Sequence, residues 1–161
     1  MSKKKETQLI LGFLCCFLIS LTFSAVYKYD NERMTQAGNI RDYQVDSDHT
    51  YSWYIDSVTT NEKQNVIEGW AAQPGEDIDY VDRTVVLLDA QGTIYRLNSI
   101  MVKRTSVTDY FKDGHNYDNS GFRAAVLFKN LQVGETYTVG IIVKEKDGSN
   151  ELVKTDKTIV G

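Results

Sequence analysis

A chain of 161 residues, 42% hydrophobic and 25% charged, carries enough apolar side chain for one packed domain with an appendage, which excludes a largely disordered protein. The net charge of −4, with no large basic patch, excludes a nucleic-acid partner. With Lys3, Lys4, Lys5 and Glu6 set aside, 15 basic and 21 acidic residues remain, and this balance of −6 repels anionic headgroups and wall phosphates unless a cation intervenes.

The first predicted element is a membrane span. Residues 9–26, LILGFLCCFLISLTFSAV, hold no charge, and with Tyr27 they approach the roughly 20 apolar residues that cross a bilayer. Three lysines precede the run and only Lys28 follows closely, which predicts a cytoplasmic N-terminus and an outer remainder. The expected organisation is residues 1–8 cytoplasmic, 9–27 a transmembrane signal-anchor in contact with lipid, 28–50 a stalk and 51–161 an extracytoplasmic domain. A cleaved signal peptide is the rival reading, with Thr22 and Ser24 as the small residues at the cut. Against it, the run is long and Phe23 and Val26 crowd that site. Cys15 and Cys16 follow Phe13 and Leu14, where a lipoprotein needs small residues, so they read as small apolar members of the helix. They are the only cysteines. The outer domain therefore relies on its core rather than on disulfides.

Residues 28–50 are polar and without a sustained period, the pattern of a stalk. From residue 51 onward short apolar runs alternate with turn signals: 51–58, 65–72, 84–89, 93–102, 122–128, 136–144 and 151–160. Phe122, Ala124, Val126 and Phe128 share one face of their run. So do Tyr137, Val139, Ile141 and Val143, with Ile142 on the opposite face. Turns are predicted at 89–92 (DAQG) and 146–149 (KDGS), the second of the Asp-Gly type that suits a tight hairpin. Residues 106–113 can make one helical turn, with Ser106 as its cap. The lone proline, Pro74, sits in a loop where it removes no ladder hydrogen bond. About seven strands at this spacing predict an all-β, immunoglobulin-like antiparallel sandwich behind one N-terminal helix.

Several of these residues form a wider pattern: Ile67, Gly69, Trp70 and Ala71; the run VVLLDAQGTIYRL; Arg104, Thr105, Val107, Thr108, Tyr110 and Phe111; Ser120, Gly121 and Phe122; then Leu131, Gly134, Tyr137 and Val139. The pattern resembles small β-sandwich domains of Gram-positive cell-envelope proteins, including those appended to enzymes of teichoic acids and other surface glycans. The resemblance spans residues 53–160. It implies a bacterial surface location and an accessory role with no shared catalytic set.

The stretch DGHNYDNSGF, residues 113–122, is the most polar loop. Asp113, Asn116, Asp118 and Asn119 are hard oxygen donors of the kind calcium takes, but their spacing is not that of an EF-hand. The plainer reading is a long loop in which Asn and Asp bond their own backbone and Gly114 and Gly121 take positive φ. A second acidic loop, with Glu76, Asp77, Asp79 and Asp82, shares an ion with the first only if the two meet. Zinc wants three or four N or S ligands, and the body offers two histidines and no cysteine. No nucleophile motif stands out, so no catalytic residue, and no cofactor beyond the calcium reading, is assigned.

Aromatic residues are numerous. Trp53, Trp70 and Phe122 are expected in the core, whereas Tyr110 and Tyr117, flanking His115, are expected as exposed contacts. Arg104 and Arg123 either meet a ligand phosphate or carboxylate or pair with an acid at a strand edge. The functional expectation is a non-catalytic module at the cell surface that contacts envelope glycan, or a glycan-handling membrane protein, through Tyr110, His115, Tyr117 and Arg104. The alternative is a structural subunit that docks on other proteins by its helix and a sheet edge.

Overall fold

The computed structural model describes residues 3–78, 83–144 and 148–161. It divides into two compact units, Met1–Glu32 and Arg33–Gly161. The first is helix α1 (Lys3–Glu32), 30 residues and so about 45 Å long. Its segment Ile10–Tyr29 is long and apolar enough to cross a membrane. Apolar side chains occupy every side of this segment, as a lipid-facing helix requires, and Cys15 and Cys16 are free thiols on its surface.

The second unit is built of two sheets. One has six strands in the order β1 (Thr35–Asn39), β6 (Thr93–Arg96), β5 (Arg83–Leu88), β9 (Thr136–Lys144), β10 (Asn150–Val160) and β2 (Gln44–Val45). The other has four, β3 (Ser52–Thr60), β4 (Gln64–Ala72), β8 (Gly121–Leu127) and β7 (Ser99–Val102). The period-2 pattern decides what each face buries. Ile55, Ile67 and Ala71 with Phe122, Ala124 and Val126 meet Val85, Leu87, Val139, Ile141 and Val143 in one core between the sheets. Ile142 points the other way, into a second apolar cluster with Val86, Leu88, Ile94 and Leu152.

Three features depart from the sequence expectation. Residues 28–50 are not a stalk throughout: α1 runs to Glu32, and β1 and β2 then join opposite edges of the six-stranded sheet. Between them Ala37, Ile40, Tyr43 and Val45 cover the second cluster, so this polar-looking segment is a strap across the sheet's outer face. The run 93–102 is two strands, one in each sheet. The chain changes sheets at buried Leu97, whose N–H donates to the Val85 carbonyl (3.0 Å), while the Val85 N–H donates to Ser99 Oγ (2.9 Å). Ten strands result among the described residues instead of seven, and one pairing, β10 with β2, is parallel.

The turn at 89–92 forms as expected. Asp89 Oδ1 accepts from the N–H groups of Gln91 and Thr93, and Gly92 takes φ +78°, a conformation that costs glycine nothing. Lys146 and Asp147 of the turn at 146–149 lie outside the described residues. Helix α2 (Thr105–Phe111) starts two residues early: Arg104 is its N-cap residue and makes no side-chain capping bond, so Ser106 lies within the first turn rather than capping it.

Candidate functional site

The loop that the sequence singles out is a latch. Tyr117 is 0% exposed, which corrects the expectation of a surface contact. Its hydroxyl donates to Asp113 Oδ2 (2.5 Å) and accepts from the Gly75 N–H (2.7 Å). The two acidic loops do meet, but through ordinary hydrogen bonds: Asn116 N–H to Asp77 Oδ1 (2.6 Å), Ile78 N–H to the Asn116 carbonyl (2.9 Å), and Asn119 Nδ2 to the Ile78 carbonyl (3.2 Å). Asp79 and Asp82 lie outside the described residues. Asp118 accepts from the Thr108 hydroxyl (2.7 Å) and pairs with Lys103 (3.1 Å), tying the loop to α2. Asn116 Oδ1 accepts from the Asp118 N–H (2.9 Å). The donors proposed for calcium are thus engaged by different neighbours. No group of three or more His, Cys, Asp or Glu is placed to hold a metal ion among the described residues. His115 is half-buried, with Nδ1 3.4 Å from Asp77 Oδ1.

The latch holds α2 against the end of the four-stranded sheet. Val107 is buried beneath the helix with Ala72, Ile78 and Tyr117. Phe111 is the hinge of an aromatic stack, 4.6 Å from Tyr117 and 5.9 Å from Trp70 between ring centroids, the latter pair edge-on. Tyr110 follows on the outer side, 6.2 Å from Trp70 and tilted 51° to it. An open groove of about 500 Å³ lies between this helix and the sheet, lined by Ser52, Trp53 and Tyr54 of β3, Trp70 of β4, and Ser106, Val107 and Tyr110 of α2. That volume falls in the range of about 300–1,000 Å³ that small-molecule sites occupy. Tyr54 is 58% and Tyr110 72% exposed, while Trp70 is half-buried with its neighbours packed against it.

Of the four residues expected as contacts, only Tyr110 lines the groove. Arg104 pairs with Asp56 of edge strand β3 (2.5 Å), and Arg123 pairs with Glu68 (3.3 Å) across the two central strands β8 and β4, so both meet an acid of the chain itself. Tyr54 and the wall role of Trp70 were not anticipated. The signal for Tyr54 was available: it is out of phase with Trp53 and Ile55, hence on the outer face. The β3–β4 register then sets it directly opposite Trp70. No family model, curated protein or solved structure matches the chain.

The latch also sets how stability depends on pH. The Tyr117 hydroxyl, chiefly, holds the Asp113 carboxyl below the ordinary aspartate range, and the Thr108 hydroxyl and Lys103 do the same for Asp118. Burial alone would raise Asp89, but hydrogen bonds from Thr93, Tyr95 and Gln91 leave it lowered. Burial, then the adjacent carboxylates, push Tyr117 and Tyr95 above the ordinary tyrosine value. Depressed aspartates stabilise the fold above their unfolded pKa of about 4, and this is lost as pH falls through the lower folded values. Raised tyrosines stabilise it below about pH 10, and this is lost as pH rises through the higher folded values. The melting temperature is therefore expected to be flat between about pH 5 and 9 and to fall on both sides. Asp113→Asn should make the acid limb shallower in a circular-dichroism melt series. An unchanged acid limb in that variant would remove Asp113 from the account.

Proposed function

We propose that this is a single-pass membrane protein with a cytoplasmic N-terminus, whose outer head is an immunoglobulin-like β-sandwich that binds envelope glycan without turning it over, alone or beside a glycan-handling enzyme. The lysines before the span support the orientation. The observation that carries the binding role is the aromatic groove of Tyr54, Trp70 and Tyr110. The faces of these rings are electron-rich and apolar, and a sugar presents C–H groups on its own apolar face while its hydroxyls turn to water or to donors such as Ser52 and Ser106. A groove that leaves two tyrosines largely exposed gains most from such amphipathic ligands.

The test is a cell-wall pull-down with the full chain in phosphatidylcholine nanodiscs, which carry no sugar of their own. Tyr54→Ala and Tyr110→Ala are each expected to weaken binding about tenfold, ~1.4 kcal/mol, with stability changed by no more than about 0.5 kcal/mol because both side chains are largely exposed. Full retention of binding by the Tyr54→Ala, Tyr110→Ala double variant would overturn the assignment of this groove.

A further inference from the structure

Resting on the glycan reading of the groove, we infer that it selects uncharged sugar rings and discriminates against anionic glycans such as phosphate- or uronate-bearing polymers. Every side chain that lines it is aromatic, aliphatic or a neutral hydroxyl. Three cations near it are already engaged: Arg104, which immediately precedes α2, by Asp56; Arg123 by Glu68; and Lys103 by Asp118; Lys112, one residue past the end of α2, is exposed but does not line the groove. An anionic ligand would have to displace one of these carboxylates or reach beyond the neutral lining to Lys112. Residues 33–161 hold 14 basic and 19 acidic residues, a net −5 that repels it further. An uncharged pyranose meets neither obstacle. The 51° tilt between Trp70 and Tyr110 makes the rings converging walls rather than one flat platform, which suits a short length of soluble chain rather than a crystalline surface.

The protein reports on this site itself, because Trp70 forms one wall of the groove, while Trp53, which borders it, packs on the core between the sheets. The full chain in phosphatidylcholine nanodiscs is titrated with chitohexaose and cellohexaose as uncharged probes, and with oligogalacturonate and a glycerol-phosphate oligomer as anionic ones. Tryptophan emission and calorimetry are read in parallel. A saturable response to at least one uncharged probe is expected, about tenfold or more tighter than to either anionic probe and unchanged between 50 and about 500 mM salt. Asp56→Asn releases the Arg104 guanidinium and is expected to narrow the gap by strengthening oligogalacturonate binding. Equal or tighter anionic binding, or affinity for the uncharged probes that collapses with salt, would overturn the selectivity while leaving the groove as the glycan site. Silence toward all four probes would remove the glycan reading, and this inference with it.

Discussion

Tyr117→Ala is expected to cost about 3–5 kcal/mol of head stability and to abolish the groove as well. The side chain is among the largest fully buried ones, and its removal leaves a cavity under Phe111 that a helix of only seven residues cannot refill. It also removes the hydroxyl that joins the Gly75 N–H to the Asp113 carboxylate. Tyr117→Phe separates the two contributions: it keeps the packing and loses only the hydroxyl, for about 1–3 kcal/mol. Urea unfolding followed by circular dichroism measures the first quantity, and tryptophan emission reports the second through Trp70. A wild-type midpoint for Tyr117→Ala would show that α2 is held by something other than this latch.

Gly69→Val should be comparably severe, about 3 kcal/mol, by the opposite route of overpacking. A Cβ at this position runs into the backbone carbonyl oxygen of Tyr54 and approaches the Phe122 ring to 2.9 Å. Neither gives way easily. The carbonyl belongs to the paired strand beside the register shift between Ile55 and Ser57, and Phe122 is in the core. Ala125→Val is the control: it adds side-chain bulk to the same sheet at an exposed position and is expected to change stability by no more than about 0.5 kcal/mol. If both variants unfold at the same urea concentration, the close approach at Gly69 carries no energetic weight.

Much of the architecture was readable because alternation is a local signal. β9, and β8 as far as Val126, could be assigned residue by residue, down to Ile142 facing away from its neighbours, since one strand's pattern already says which face is buried; Phe128, expected on the same face, instead opens a 3-10 turn after β8. What could not be read depends on partners distant in sequence. The strap residues Ala37, Ile40, Tyr43 and Val45 are too sparse to show a period, and they bury only because the six-stranded sheet offers them an apolar back. The crossing at Leu97 is hidden because strand-forming residues continue on both sides of it. Tyr117 misleads for a physical reason: a loop rich in Gly, Asn and Asp is ordinarily solvated, but here those residues spend their hydrogen bonds folding the loop around its own aromatic ring. The groove was half visible. Tyr110 could be picked out beside a turn, whereas Tyr54 and Trp70 become a pair only once β3 and β4 are placed in register.

The strap has a mechanical consequence. Only Arg33 and Met34 separate α1 from β1, so tension arriving along the chain from the helix reaches the strap before any other part of the head. β1 and β2 are edge strands of five and two residues, each paired on one side only, and they would peel before the long β9–β10 ladder yields. Peeling would bare Val86, Ile94, Ile142 and Leu152 to water while the core between the sheets stays shut. The head thus carries a breakaway segment: under load it sheds a weak outer layer first, and what it then exposes is sticky.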